Sequence, residues 1–133
     1  MSTIFSKIIE GSIPAYKVAE NDDYLAFLDI GPLAAGHTLV IPKEEVDYIF
    51  DLESDAYNGL WNFSKDVAKA IKVVCPCEKV GIAVIGLEVA HAHIHLVPIN
   101  GIGDLNFKKA RVELSKQEFE KLAEDIQSAY LNL

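Results

Sequence analysis

Cysteine and long apolar runs are scarce in this sequence of 133 residues. Its two cysteines form the unit Cys75-Pro76-Cys77. Because residues this close together rarely reach disulfide geometry, we expect reduced thiols in a reducing compartment. No apolar run approaches the roughly 18 residues of a membrane span, and the N-terminal stretch, with one lysine and an interrupted apolar run, is unlike a signal peptide. We therefore expect a cytoplasmic protein without a membrane partner.

Basic residues are in the minority, since 12 Lys and Arg stand against 20 Asp and Glu, for a formal net charge of −8. Such a charge repels polyanions, so a nucleic-acid partner is not expected. A small phosphorylated ligand is compatible with it, because the charge inside a pocket can differ from that of the whole surface. The length and the hydrophobic content of 50% predict one folded domain over residues 1–133.

Helical periodicity appears in three places. Near the N-terminus, Phe5 and Ile8 predict a short helix that is capped by Ser2 or Thr3 and ended by Gly11. A long helix is predicted over about 54–74. A last helix, a C-terminal extension over about 115–131, is predicted from its capping-box sequence and its apolar stripe.

Strand patterns fill the space between these helices. They are predicted in "AYKVAE", "YLAFLDI", "HTLVIP", "VGIAVIG" and "HAHIHLVP". Most links between them are too short for parallel crossovers, so an antiparallel α+β domain is expected.

The most unusual feature is "HAHIH", which holds three of the four histidines. On a strand, residues two apart point to the same face, so His91, His93 and His95 are expected to project together while the alternate residues Ala92 and Ile94 face the core. Solvation alone does not explain three histidines there, because Thr, Lys or Glu would serve as well.

Two functional interpretations of the histidines stay open on geometry alone. Zinc needs its ligands at about 2.0–2.1 Å from one point, whereas the outer two histidines start about 13 Å apart along a strand. Two neighbours together with His37 could nevertheless converge on an ion. Alternatively, one imidazole acts as a nucleophile on a phosphate while its neighbours donate hydrogen bonds.

The sequence as a whole resembles the histidine triad (HIT) family of nucleotide hydrolases and transferases. The family signature is His-x-His-x-His followed by apolar residues, here "HAHIHLV". The segments "FSKIIEGSIPAYKV" and "LAFLDIGPLAAGHTLVIPK" also look like family segments in family order. The resemblance covers roughly residues 4–98 and leaves the last helix outside. It implies a HIT-like fold with a five-stranded antiparallel sheet, one long central helix and a homodimer.

The resemblance also implies roles for the histidines in cleaving purine nucleotide substrates at the α-phosphorus. His93 matches the nucleophile that forms a nucleotidyl-histidine intermediate. His95 and His37 match positions that contact the phosphate, and His91 matches the histidine that orients the nucleophile. Asp29 matches the carboxylate that holds the ribose hydroxyls. The apolar slot around the base is matched by Phe5, Ile8, Phe27 and Ile30.

Several positions differ from the family pattern. Many relatives hold zinc through two cysteines and a histidine where this chain has Thr3, Ser6 and Glu45, so neither a metal nor another cofactor is expected. Leu87 and Glu88 stand where relatives often have glutamine and then serine or threonine near the phosphate. We expect these two residues to modulate rate and substrate choice.

The resulting hypothesis is a hydrolase of nucleoside phosphoramidates or related nucleotidyl conjugates, with adenosine as the expected nucleoside. One alternative is a dinucleoside polyphosphate hydrolase, which uses the same chemistry on another leaving group. The other is a nucleotide-binding sensor or scaffold with little turnover.

Overall fold

The computed structural model describes residues 3–133 and contains a five-stranded sheet flanked by helices. The helices are α1 (Ile4–Glu10), α2 (Ser54–Val74) and α3 (Lys116–Leu131). The strands are β1 (Lys17–Glu20), β2 (Tyr24–Leu28), β3 (Thr38–Pro42), β4 (Lys79–Ala83) and β5 (Ile94–Ile99). The sheet order is β1-β2-β3-β5-β4, and every neighbouring pair is antiparallel. The predicted α+β class and antiparallel sheet are confirmed.

The ends of the helices lie where local capping chemistry predicts them. The Thr3 hydroxyl accepts from the Ser6 amide at 3.1 Å, and Gly11 ends α1 at a φ of 86°. Ser2, the other predicted cap, lies outside the described residues. At the start of α3, Ser115 and Glu118 form the predicted reciprocal capping box.

Two strand predictions were wrong in extent. β4 ends at Ala83 rather than at residue 86, and β5 begins at Ile94, so His91 and His93 precede the strand. The physical reason is that the backbone leaves the sheet in this stretch, since the Ala92 amide donates to the carbonyl of Val46 at 2.7 Å instead of to a strand neighbour. The triad therefore spans the entry into β5.

The two faces of the sheet have different coverings. On one face, α2 and α3 pack over a large core that includes Ala92 and Ile94, as predicted, and also Leu96. The other face carries a smaller apolar cluster in which α1 packs on β2 and β3. The histidines lie on this second face, where His95 pairs across the sheet with Leu39 of that cluster.

Two other expectations concern the cysteines and the membrane. Both cysteines are free thiols, and burial raises the pKa of Cys75 to about 11. Among residues 3–133, none of the helices combines the length and apolar character needed to cross a membrane.

Candidate active site

Four histidines converge on the α1 face of the sheet and form what we call the histidine cluster: His37, His91, His93 and His95. The exposed fractions of these side chains are 0%, 0%, 7% and 8%. The shared orientation of the triad is thus accompanied by near-complete burial, which the alternating pattern did not predict. The cover consists of two aromatic rings, because Phe5 lies 5.0 Å from the ring of His93 and Phe107 lies 4.7 Å from that of His95.

The hydrogen bonds of His93 fix which ring nitrogen carries its proton. Its Nδ1 lies 2.8 Å from the carbonyl oxygen of His91. A carbonyl can only accept, so Nδ1 is the protonated nitrogen and the Nε2 lone pair of neutral His93 is left unused. A free lone pair on an oriented imidazole is what a nucleophile requires.

His37 and His95 form a second chain of fixed protons. The backbone amide of Leu33 donates to Nδ1 of His37 at 3.0 Å, so neutral His37 holds its proton on Nε2. That Nε2 lies 3.0 Å from Nδ1 of His95 and donates to it. His95 consequently carries its own proton on Nε2 and can donate to a substrate oxygen.

The Nε2 atoms of His93 and His95 are both open to solvent. In the described part of the chain, the Nε2 atoms of His93 and His95 have no hydrogen-bond partner. The indole nitrogen of Trp61 is the single fully buried side-chain N or O atom there without a partner, so these two Nε2 atoms are not fully buried. Both Nε2 atoms are therefore accessible. The adjacent rings, with centroids 5.0 Å apart, present a lone pair on one side and a donor on the other.

The charge states of the cluster follow from its burial. Desolvation lowers the pKa of His95 to about 4, with further lowering by the neighbouring His93 and His37. Desolvation also lowers the pKa of His37 to about 4, with a contribution from the Arg111 guanidinium. At neutral pH both rings are uncharged, so they can orient and donate but do not supply positive charge.

His91 is held by a polar network that includes Thr3, Ser6 and Glu45. Its Nε2 donates to the carbonyl of Pro42 at 2.8 Å, which leaves Nδ1 to accept from the Thr3 hydroxyl at 3.2 Å. The Thr3 hydroxyl also lies 3.2 Å from that of Ser6, and Ser6 donates to the Glu45 carboxylate. This hydrogen bond is the main reason that the pKa of Glu45 is lowered. The network ties α1 to the loop after β3 and orients His91.

Asp29 lies directly after β2 at the edge of the cluster. Its Oδ1 accepts from the Gly31 amide at 2.8 Å, and its Oδ2 lies 3.6 Å from Nε2 of His37. The side chain is 20% exposed, so the carboxylate remains open to hydroxyl groups of a ligand.

A metal site at Asp29, His37 and His95 is suggested by proximity, because one ligating atom from each lies within 4.8 Å of the others. The position of the proton on His37 argues against a metal ion at this place. Since the Leu33 amide occupies Nδ1 of His37, the proton cannot move there from Nε2, and a metal on Nε2 would require an imidazolate. The residues present do not fit a metal ion.

The four residues predicted to form an apolar slot are only partly brought together. Phe5, Ile8 and Phe27 pack in one cluster, with the two phenyl centroids 5.6 Å apart. Ile30 lies outside that cluster and its side chain is 77% exposed. A role for these residues in holding a base stays a prediction.

Residues 84–90, which we call the open segment, run between β4 and the triad without regular structure. Leu87 is 88% exposed, and Glu88 is also exposed. Leu87 lines a cavity of about 430 Å³ together with His93 and Trp61. In the described chain, no side-chain hydrogen bond holds Glu88 toward the cluster.

Sequence reasoning missed two residues at the site, Phe107 and Arg111. Both belong to the stretch between β5 and α3, where no periodic pattern marks them. The adjacent basic residues in "KKAR" are the one local signal that could have drawn attention to this stretch.

Comparison with known proteins identifies the family of this chain. The HIT domain model matches residues 10–101. An uncharacterized HIT-like protein of Borreliella burgdorferi is 35% identical, with 92% of this chain and 94% of that protein covered. The adenosine 5'-monophosphoramidase of Schizosaccharomyces pombe is also 35% identical, with 96% and 98% covered. A crystal structure of a HIT-like protein from Bartonella henselae superposes with a TM-score of 0.83 at 28% identity and 96% coverage of both chains.

The fold superposes on that of a HIT-like protein, and the chain contains the alternating histidines His91, His93 and His95. This chain belongs to the HIT family, and the predicted HIT-like fold is confirmed.

Proposed function

We propose that this protein is a nucleotide hydrolase that cleaves at the α-phosphorus of adenosine phosphoramidates or related nucleotidyl conjugates. The observation that carries the proposal is the complementary proton placement on His93 and His95. One accessible Nε2 offers a lone pair, and the Nε2 of the neighbouring ring offers a hydrogen.

In the proposed first step, Nε2 of His93 forms a bond to phosphorus while the bond between phosphorus and the leaving nitrogen breaks. The leaving amine departs with a proton taken from the site or from water. His95 donates its Nε2 hydrogen to a phosphoryl oxygen as negative charge develops there. His37 supports it by donating to the Nδ1 of His95 at 3.0 Å.

In the second step, a water oxygen attacks the same phosphorus, and the bond between phosphorus and His93 breaks. The nucleoside monophosphate leaves, the proton of the water passes to solvent, and His93 returns to its neutral state. Splitting one displacement into two in this way is the general advantage of covalent catalysis.

Two findings support the choice of substrate. Membership of the HIT family supports a nucleotide hydrolase, and the relative from S. pombe is named as an adenosine 5'-monophosphoramidase. The open carboxylate of Asp29 beside the cluster is compatible with binding ribose hydroxyls, as aspartates do in dinucleotide-binding folds.

A substrate panel followed by phosphorus NMR tests the proposal. The panel comprises adenosine phosphoramidate, an aminoacyl adenylate and a diadenosine polyphosphate. Release of AMP from the first two, faster than from the third, is the expected result. Preference for the polyphosphate would instead identify a dinucleoside polyphosphate hydrolase, and binding of AMP without turnover of any compound would identify a sensor.

We also propose that two copies pair along β4, as the resemblance to the family implies. β4 is an edge strand whose outer backbone groups are unpaired within the described chain, and Ile82 on it is 50% exposed. Exposed edges of this kind pair readily with another strand. Light scattering should report twice the mass of 14.6 kDa, and a monomer at micromolar concentration would refute the pairing.

A further inference from the structure

The segment between β5 and α3 covers part of the histidine cluster, although from residue 102 onward it lies outside the matched family region of residues 10–101. It contains Phe107 and, close after it, Lys108, Lys109 and Arg111. The Phe107 ring lies 4.7 Å from that of His95 and 6.2 Å from that of His37. The segment is therefore a wall of the site.

Arg111 is fixed at this wall by three contacts. One guanidinium nitrogen donates to the carbonyl of Gly31 at 2.7 Å, and the other donates to the carbonyl of Phe107 at 3.3 Å. The guanidinium carbon lies 5.6 Å from the centroid of the Phe107 ring, within the range of a cation–π contact. A guanidinium has five N–H donors, so donors remain for a ligand.

The position of Gly31 locates Arg111 relative to the site. The amide of Gly31 donates to Asp29, and its carbonyl accepts from Arg111. The guanidinium is thus held one residue's backbone away from the carboxylate, on the side of the cluster where His37 and His95 lie.

The charge balance of the site indicates what the positive charge of Arg111 could do there. The two buried histidines are neutral at pH 7, because their pKa values are lowered to about 4. Asp29 adds a carboxylate, and the protein as a whole has a net charge of −8. A phosphate entering such a site meets no positive charge from His37 or His95. Arg111 is the cation whose field acts on both His37 and His95.

We propose that Arg111, held by Gly31 and Phe107, is a substrate-binding residue that supplies the positive charge for the phosphate group of the nucleotide. This inference rests on the proposed function, since it assigns a residue to the phosphate of that substrate. The ligand that Arg111 is proposed to recognise is a nucleoside phosphate rather than an uncharged nucleoside.

The competing explanation is that Arg111 only fastens the loop after β2. The two explanations differ in which ligand they affect. A phosphate-binding guanidinium matters for AMP and not for adenosine, whereas a loop tether that shapes the site matters for both.

Titration calorimetry of AMP and adenosine binding to the full chain separates these explanations. Arg111→Gln should weaken AMP binding roughly tenfold, since a hydrogen-bonded charge is lost at an exposed position, and should change adenosine binding less than about twofold. Arg111→Lys, which keeps the charge without the planar fork, should lie between the two. Lys108→Gln is the matched control, because it removes the same charge from the same segment and should leave both affinities unchanged.

Three results would overturn the inference. Equal weakening of AMP and adenosine in Arg111→Gln would show a loop tether, and unchanged AMP binding would show no role. An equal effect of Lys108→Gln would show a diffuse field rather than a site. If the unaltered protein binds neither ligand, the proposed function fails with it, whereas loss of the Arg111 effect alone leaves that function standing. Thermal unfolding of each variant confirms that the comparison is made on folded protein.

Discussion

The histidine cluster and the open segment are consecutive in the chain, yet they are held in opposite ways. The cluster is buried, and each of its rings has a hydrogen bond that fixes a proton, beginning with the Leu33 amide for His37. The open segment is largely exposed, and no side-chain hydrogen bond in the described structure restrains it. The groups proposed to react are therefore preorganised, whereas the residues expected to modulate them are not. Changes in the cluster should therefore be far more damaging than changes in the open segment.

The largest effect is expected at His93, the proposed nucleophile. His93→Ala should lower turnover by roughly three orders of magnitude or more, because the covalent route is lost. The fold and AMP binding should be largely retained. Intact-mass spectrometry of quenched reactions should show a nucleotidyl adduct on the unaltered protein and none on the variant. Full activity of His93→Ala would refute the assignment.

The buried neutral histidines should make stability depend on pH. Their folded pKa values of about 4 lie below the ordinary value of 6.5, so their contribution is complete above pH 6.5 and is lost as the pH falls toward 4. One such shift corresponds to a loss on the order of 3 kcal/mol in the free energy of unfolding. Urea unfolding at pH 7, 5.5 and 4.5 measures this decrease.

His95→Asn is the control for the pH experiment, because other groups also titrate in this range. The decrease between pH 7 and 4.5 should be smaller in this variant than in the unaltered protein. Parallel curves for the two proteins would show that His95 is not buried as a neutral ring.

Substitution of Gly36, which precedes His37, tests how closely the backbone beside the histidine cluster is packed. Gly36 has a φ of 102°, and a Cβ added there would lie 2.6 Å from the Cys75 sulfur. Gly36→Ala should cost about 3 kcal/mol of stability through the combined strain and overpacking. Gly11→Ala is the matched control, since Gly11 has a φ of 86° with nothing within 4 Å, and should cost about 1 kcal/mol.

A double variant distinguishes the two sources of cost at Gly36. Cys75→Ala removes the sulfur, so Gly36→Ala should be less damaging in that background than alone when both are measured by urea unfolding. Equal costs of Gly36→Ala and Gly11→Ala would contradict the close contact.

The smallest effect is expected in the open segment. Glu88→Ser should change the turnover of a simple phosphoramidate less than about threefold, because water screens an exposed carboxylate. The sign of any change is informative. Faster cleavage indicates a charge that repels the phosphate, and slower cleavage of lysine-linked conjugates indicates selection of a cationic leaving group. A change near a hundredfold in kcat/KM would break the contrast between the two regions.

Locally encoded features of this fold could be predicted from the sequence. Thr3, Gly11 and Ser115 each act on the backbone within a few residues, so capping chemistry located the helix ends. The parity of the triad likewise predicted a common orientation of its rings. Parity does not reveal what covers a face, and so the burial of the histidines under Phe5 and Phe107 was missed.

The remaining parts of the site depend on contacts between distant segments. Arg111 reaches the site because the irregular stretch between β5 and α3 contacts the loop that contains Gly31. The protons of His37 and His95 are set by a main-chain amide, which any residue except proline would provide at position 33. The identity of the residue at position 33 therefore does not reveal this arrangement.

The hydroxyl of Thr3 makes two hydrogen bonds. It accepts from the Ser6 amide, which caps α1, and it donates to His91. Fraying of the first turn of α1 should consequently also release the His91 ring from its fixed orientation.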